Sequence, residues 1–219
     1  MPDGVVLLHG IFRSSWSMWS LAQFLARHGY ETLNLDYASR RFDLPELAAQ
    51  MYPKVHAFSE QLEGRVHFVG HSMGGLLART YIHAYRPRRL GRVVMIGTPN
   101  GGSEVADKLQ YWWLFRKLYG PAGQRLITDQ RGFSHIFGQT DYDVGCIAGN
   151  ATIDPIGSMI IGGENDGKVS VASTKLYGMK AHAVVPVSHT FLSANRKVQQ
   201  LTLEFLQSGV MNSQGVAST

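Results

Sequence analysis

Cysteine is almost missing from this chain. Cys146 stands alone among 219 residues, so no disulfide can close within it. That excludes the small cross-linked scaffolds of secreted proteins and suits a reducing compartment. Long hydrophobic runs are missing as well. None approaches the roughly 18 apolar residues that would cross a bilayer, so no integral membrane segment is expected. No charged segment with an apolar stretch behind it precedes the first strand-like run. The chain therefore reads as cytoplasmic unless a leader has been removed. The formal charge of +5 is spread out, with small clusters only at Arg40-Arg41 and Arg86-Pro87-Arg88-Arg89. A nucleic-acid surface needs a basic face with stacking aromatics, and none is visible, so no nucleic-acid partner is expected.

What is present is apolar and rhythmic. At 44% hydrophobic, the chain can bury a substantial core. Gly4 to His9 is a continuous apolar run, as in a strand buried on both faces. Met18, Leu21, Ala22 and Leu25 follow with helical spacing, and His28-Gly29 ends that helix. Further strands are expected at Glu31 to Tyr37, Val66 to Val69, Arg92 to Gly97, Val144 to Ala148 and His182 to Val187. Asp43 and Glu46 form a capping pair around Pro45, and Pro53 should kink or split the helix that follows. A last helix is expected from Ser193 to Gln207. Alternating strands and helices imply an α/β fold with a mostly parallel sheet of about six strands. The chain reads as one domain, 1–207, with a flexible tail at 208–219. Residues 104–143 break the rhythm and are too long for a plain connection, which suggests a cap or lid. Their aromatics Trp112, Trp113 and Phe115 could wall an apolar substrate site or simply pack the cap down. Phe12, near the end of the first strand, is a further substrate-binding candidate.

Chemistry is concentrated in Gly70-His71-Ser72-Met73-Gly74-Gly75, between a strand and a helical pattern. Strand, Gly-x-Ser-x-Gly, helix is a nucleophile elbow, a sharp turn that lifts a serine hydroxyl above the sheet edge. Such a serine needs an oxyanion donor upstream, then an acid and a histidine downstream. His9-Gly10 ends the first strand on the same edge. Ile11 N–H is the chosen donor beside that of Met73, with Phe12 second. His9 itself should hold that loop by a side-chain hydrogen bond. Of nine histidines, His189 follows the last strand and precedes the last helix, where a base must lie. The acid should be Asp166 in the glycine-rich loop Gly162 to Val169, with Asp154 and Glu164 as competitors. Asp141 and Asp143 precede a strand and fall at the wrong edge. His71 cannot easily aim its ring at the adjacent Ser72.

With these residues in place, the chain resembles the α/β-hydrolases of the small bacterial esterase and lipase type. The matching stretches are His9-Gly10-Ile11, the elbow, Gly97-Thr98-Pro99 with Gly101-Gly102-Ser103, Asn165-Asp166-Gly167-Lys168-Val169, and Ser188-His189. The resemblance implies hydrolysis of a small-molecule acyl ester through a Ser72-Asp166-His189 triad, without a cofactor or metal. The aromatics of the expected cap could also contact lipid or apolar substrates. A thioesterase, amidase or acyltransferase would use the same triad, and a non-catalytic hydrolase-like binding protein would have lost it. Ester, acyl-CoA and anilide substrates separate the enzymes, and the intact triad argues against the last. The sequence leaves acyl chain length and oligomeric state open.

Overall fold

The computed structural model describes residues 2–100, 136–153, 158–159 and 161–212. Among these, six strands form one all-parallel sheet in the order β2-β1-β3-β4-β5-β6. They are β1 (Gly4–Leu8), β2 (Glu31–Leu35), β3 (Val66–His71), β4 (Leu90–Ile96), β5 (Val144–Gly149) and β6 (Ala181–Val185). β1, β3 and β5 are buried along their whole lengths, which explains their unbroken apolar runs.

Helices cover both faces. α1 (Trp19–Arg27) and the last helix lie on one side, where Leu21 and Leu25 meet Val5, Leu7, Val198, Leu201 and Phe205. α2 (Leu44–Gln61) and α3 (Met73–Tyr85) lie on the other, against Val6, Leu8, Phe68, Val93 and Met95. Burial of each such side chain contributes roughly 1.5–3 kcal/mol before the entropy of ordering it is counted. The chain leaves β1 toward one edge of the sheet and returns to place β3 on β1's other side. The carboxyl ends of β1 and β3 therefore flank a topological switch point, where open α/β sheets bind ligands.

Several boundaries differ from the sequence reading. Pro53 does not split its helix: α2 runs through it from Leu44 to Gln61. Its Asp43–Glu46 capping box forms as expected, with Glu46 N–H donating to Asp43 and Asp43 N–H donating to Glu46. Pro53 and Ala49 are both exposed, so the carbonyl left without an N–H donor can face water while the buried stripe Leu47, Met51, Val55 holds the helix. β2 stops at Leu35, because Tyr37 turns back to stack on His9. The closing helix is two pieces. A 3₁₀ segment, His189–Ala194, precedes α5 (Arg196–Ser208), which Asn195 caps by accepting from Lys197 N–H and Val198 N–H. Before β6 lies α4 (Val171–Thr174), a single turn after the Asp166 loop. No helix among the described residues is long and apolar enough to cross a membrane.

Candidate active site

Ser72 sits between β3 and α3 with φ 55° and ψ −122°. Phe12, in the loop after β1, has φ 59°, and these are the two non-glycine residues with positive φ among those described. Both lie at the switch point, and strain of this kind persists only where surrounding structure enforces it. The enforcement at Ser72 is visible. Its N–H donates to Ile96 O at 2.8 Å, and its carbonyl accepts from Thr98 Oγ1 at 3.0 Å. The flanking glycines are required by contact. A Cβ on Gly70 would stand 2.3 Å from Gly75 N, and one on Gly74 would stand 2.2 Å from Leu8 O. Strand, turn and helix are pressed together with no room for side chains.

The loop after β1 is fixed from below. The His9 ring donates through Nδ1 to Gly10 O at 2.8 Å and stacks on Tyr37 at 4.0 Å, and the Tyr37 hydroxyl donates to His9 O. Ile11 is half-buried, and Phe12 is exposed with the Arg40 guanidinium 5.6 Å above its ring. Met73 is the first residue of α3, so its N–H has no acceptor within the helix.

Asp166 and His189 come together at the same carboxyl edge, after β5 and β6. His189 Nδ1 and Asp166 Oδ2 are 2.7 Å apart, and both side chains are buried. Asp166 Oδ1 accepts from Lys168 N–H at 3.0 Å and Val169 N–H at 2.8 Å. A carboxylate so occupied cannot swing away, and it dictates that His189 carries its proton on Nδ1. The main chains are tied as well, with His189 N–H donating to Asp166 O at 3.0 Å. Such a ring presents Nε2 as a free base.

The other candidates fall elsewhere. Glu164 is exposed and accepts from Val171 N–H only through its carbonyl. Asp143 pairs with Lys180 at 2.7 Å, and Asp141 with Arg86 at 2.7 Å, both before β5. Asp154, Trp112, Trp113, Phe115 and nearly all of the expected cap lie outside the described residues, as does the tail from 213.

Two contributors escaped the sequence reading. A Cβ at Gly149 would lie 2.2 Å from Val187 O and 2.9 Å from Asp166 Cβ, so this glycine gives the acid its seat. His71, set aside as unable to face Ser72, instead reaches His189 O at 3.0 Å. A glycine at the carboxyl end of a buried strand was the available signal for the first. Nothing local signalled the second.

A family model described as "Alpha/beta hydrolase family" matches residues 5–194. A triacylglycerol lipase of Pseudomonas fragi is 39% identical over 85 residues, covering 38% of this chain and 29% of that protein. A triacylglycerol lipase of Pseudarthrobacter phenanthrenivorans is 48% identical over 46 residues, covering 21% and 14%. The matches thus span less than a third of the curated relatives' length. In overall structure the chain is similar to the mature form of a Bacillus licheniformis lipase. The TM-score is 0.70 at 21% identity, over 95% of this chain and 94% of that one. It is also similar to a pyrethroid hydrolase of Sphingobium faniae, with a TM-score of 0.60 at 12% identity over 95% and 98%.

Proposed function

This chain belongs to the alpha/beta hydrolase family, and from that premise we propose that it cleaves carboxylic esters through an acyl-enzyme on Ser72. The observation that carries the proposal is the 2.7 Å bond from buried His189 to buried Asp166, on the sheet edge where Ser72 holds its strained turn. The lipase relatives favour an ester over other acyl substrates, though they share only part of their length with it.

In the first step, Ser72 Oγ attacks the ester carbonyl carbon and its proton passes to His189 Nε2. The carbonyl oxygen becomes an oxyanion held by the N–H groups of Met73 and Ile11, with Phe12 N–H the neighbouring alternative. Each such donor is worth roughly 3 kcal/mol in acyl transfer. The N-terminus of α3 adds a favourable field at that point. Collapse expels the alcohol, which takes the proton from His189. Water then attacks the acyl-enzyme, giving its proton to His189, and Ser72 leaves with that proton as the acid is released. Asp166 stays ionised throughout and stabilises the charged imidazole.

A fluorophosphonate probe tests the nucleophile. The wild-type protein should be labelled stoichiometrically and Ser72→Ala should not. Equal labelling of the two would overturn the assignment.

A further inference from the structure

Beside the nucleophile in sequence and against its base in space stands a residue that the mechanism above does not use. His71 is buried, and its Nε2 lies 3.0 Å from the carbonyl oxygen of His189. A carbonyl accepts only, so Nε2 must carry the ring's proton and donate it. The other nitrogen has no other work. Nδ1 is buried with no hydrogen-bond partner among the described residues, and it faces Gly10, where a Cβ would stand only 3.3 Å away. The two imidazoles lie side by side, with centroids 4.9 Å apart and planes tilted by 42°.

We propose that His71 is a positioning residue: its Nε2–H fixes the main chain of His189, so that the nucleophile elbow itself aims the base. This rests on the reading of Ser72 and His189 given above.

The argument is one of constraints. His189 is held at three points. Its N–H donates to Asp166 O at 3.0 Å, its Nδ1 donates to Asp166 Oδ2 at 2.7 Å, and its carbonyl accepts from His71 at 3.0 Å. The first two reach only to the Asp166 loop. They set the base relative to the acid, and neither bond reaches the residues beside Ser72. The third bond alone runs to the elbow, one residue from the nucleophile. The sequence distance it bridges is 118 residues, while the distance it controls is that between attacking oxygen and base. A misplacement of about 1 Å there can cost about 100-fold in rate.

The ring must also stay neutral. Burial, with His189 beside it and Arg13 and Lys168 nearby, pushes its pKa well below the ordinary imidazole value, although the bond to His189 O works the other way. A second charged imidazole here would oppose the charge that His189 gains during turnover.

The test joins a variant pair to two spectroscopic signatures. His71→Leu keeps bulk and loses the donor. It should lower kcat about 10- to 100-fold, change KM by less than about threefold, and slow fluorophosphonate labelling in parallel. His71→Gln can donate from a terminal amide and should recover most of kcat. Wild-type activity in His71→Leu would overturn the proposal, and so would a His71→Gln variant as impaired as His71→Leu. In the wild-type protein, ¹⁵N shifts should report a neutral Nε2–H tautomer for His71, and an Nδ1–H tautomer or a charged ring would overturn it even if neither variant folded. The downfield proton of the Asp166–His189 bond should broaden or move in His71→Leu and return in His71→Gln; an unmoved signal would also count against the proposal. These spectra do not need turnover. Labelling that survives Ser72→Ala would remove the nucleophile reading and leave the His71 bond separately testable.

Discussion

Among the described residues, buried His189 and buried His67 are hydrogen-bonded to aspartates at opposite ends of the sheet, and the proposed chemistry uses only the first pair. At the carboxyl end, His189 gives Nδ1 to Asp166. At the amino end, His67 faces Asp3 through Nε2 at 3.2 Å. The difference lies in the second nitrogen. His67 Nδ1 accepts from Arg92 N–H at 2.8 Å, so both of its nitrogens are spent on holding strands β3 and β4 to the chain before β1. His189 has only one nitrogen committed among the described residues, and the free one lies at the switch point. The acids differ too. Asp166 is buried and takes two backbone N–H donors as well as the ring, whereas the Asp3 side chain is 38% exposed. An Asp–His contact is therefore no signature of catalysis. What separates the two is an unspent imidazole nitrogen, a rigid carboxylate and the correct end of a parallel sheet.

The largest effect expected from this contrast is on turnover. Asp166→Asn should lower kcat by about 10⁴-fold, since an amide no longer secures the Nδ1–H tautomer. Steady-state hydrolysis of a p-nitrophenyl ester measures it. A loss under about tenfold would move the acid elsewhere and remove the distinction between the pairs.

At the amino end the same kind of damage should fall on stability. His67→Leu leaves the Arg92 N–H without its acceptor inside the sheet. An unsatisfied buried donor costs about 1–3 kcal/mol, so the denaturation midpoint should drop while kcat per folded molecule stays within about twofold. A large fall in kcat with an unchanged midpoint would mean that the amino end communicates with the site.

These two ends were unequally legible in the sequence. The elbow could be read because its whole signal is local: an apolar run, glycines at fixed offsets, then helical spacing. The meeting of His189 and Asp166 could be anticipated because strand-end loops of a parallel sheet share an edge, so chain order and position after a strand ranked the candidates. The amino-end pair could not. Asp3 and His67 are 64 residues apart, and only the adjacency of β1 and β3 brings them together. The same holds for His71, whose partner is chosen by the packing of two loops. Of the two outcomes expected at Pro53, a split did not occur. The local rule was sound, but burial of residues on both sides of the proline outweighed one lost hydrogen bond. Gly149 looked like any strand-ending glycine until Asp166 was seen against it.

Acid sharpens the comparison further, with an effect of order 1 kcal/mol. Burial lowers the pKa of His67, His71, His9 and His182 in the folded state. The unfolded chain then binds more protons than the folded one once pH falls below about 6.5. The stability these groups contribute is complete above that value and is lost as pH drops toward their folded pKa values. Protonating His67 at Nδ1 also breaks its bond from Arg92 N–H. The thermal midpoint should accordingly fall between about pH 7.5 and about pH 5.5, and His67→Leu should flatten part of that slope. A midpoint that rises on acidification would contradict neutral buried imidazoles.

The smallest effect should come from Asp3→Asn, the counterpart of the most damaging substitution. Partial burial works to raise the Asp3 pKa, but the Arg65 N–H and His67 hydrogen bonds outweigh it and hold the carboxyl below its ordinary range. Asp3 Oδ1 accepts from Arg65 N–H at 2.7 Å, while Oδ2 faces His67. An asparagine has a single oxygen and can satisfy one of these donors, so one hydrogen bond is lost at a site open to water and salt. The expected cost is about 0.5 kcal/mol, close to the resolution of a urea titration, with kcat unchanged. The same exchange of oxygen for nitrogen would then cost about four orders of magnitude in rate at one end of the sheet and almost nothing at the other. If Asp3→Asn instead cost more than about 2 kcal/mol, the amino-end carboxylate would be as tightly built in as Asp166. Rigidity of the acid would then no longer distinguish the two ends, and the free nitrogen of His189 and its place at the switch point would have to account for the difference alone.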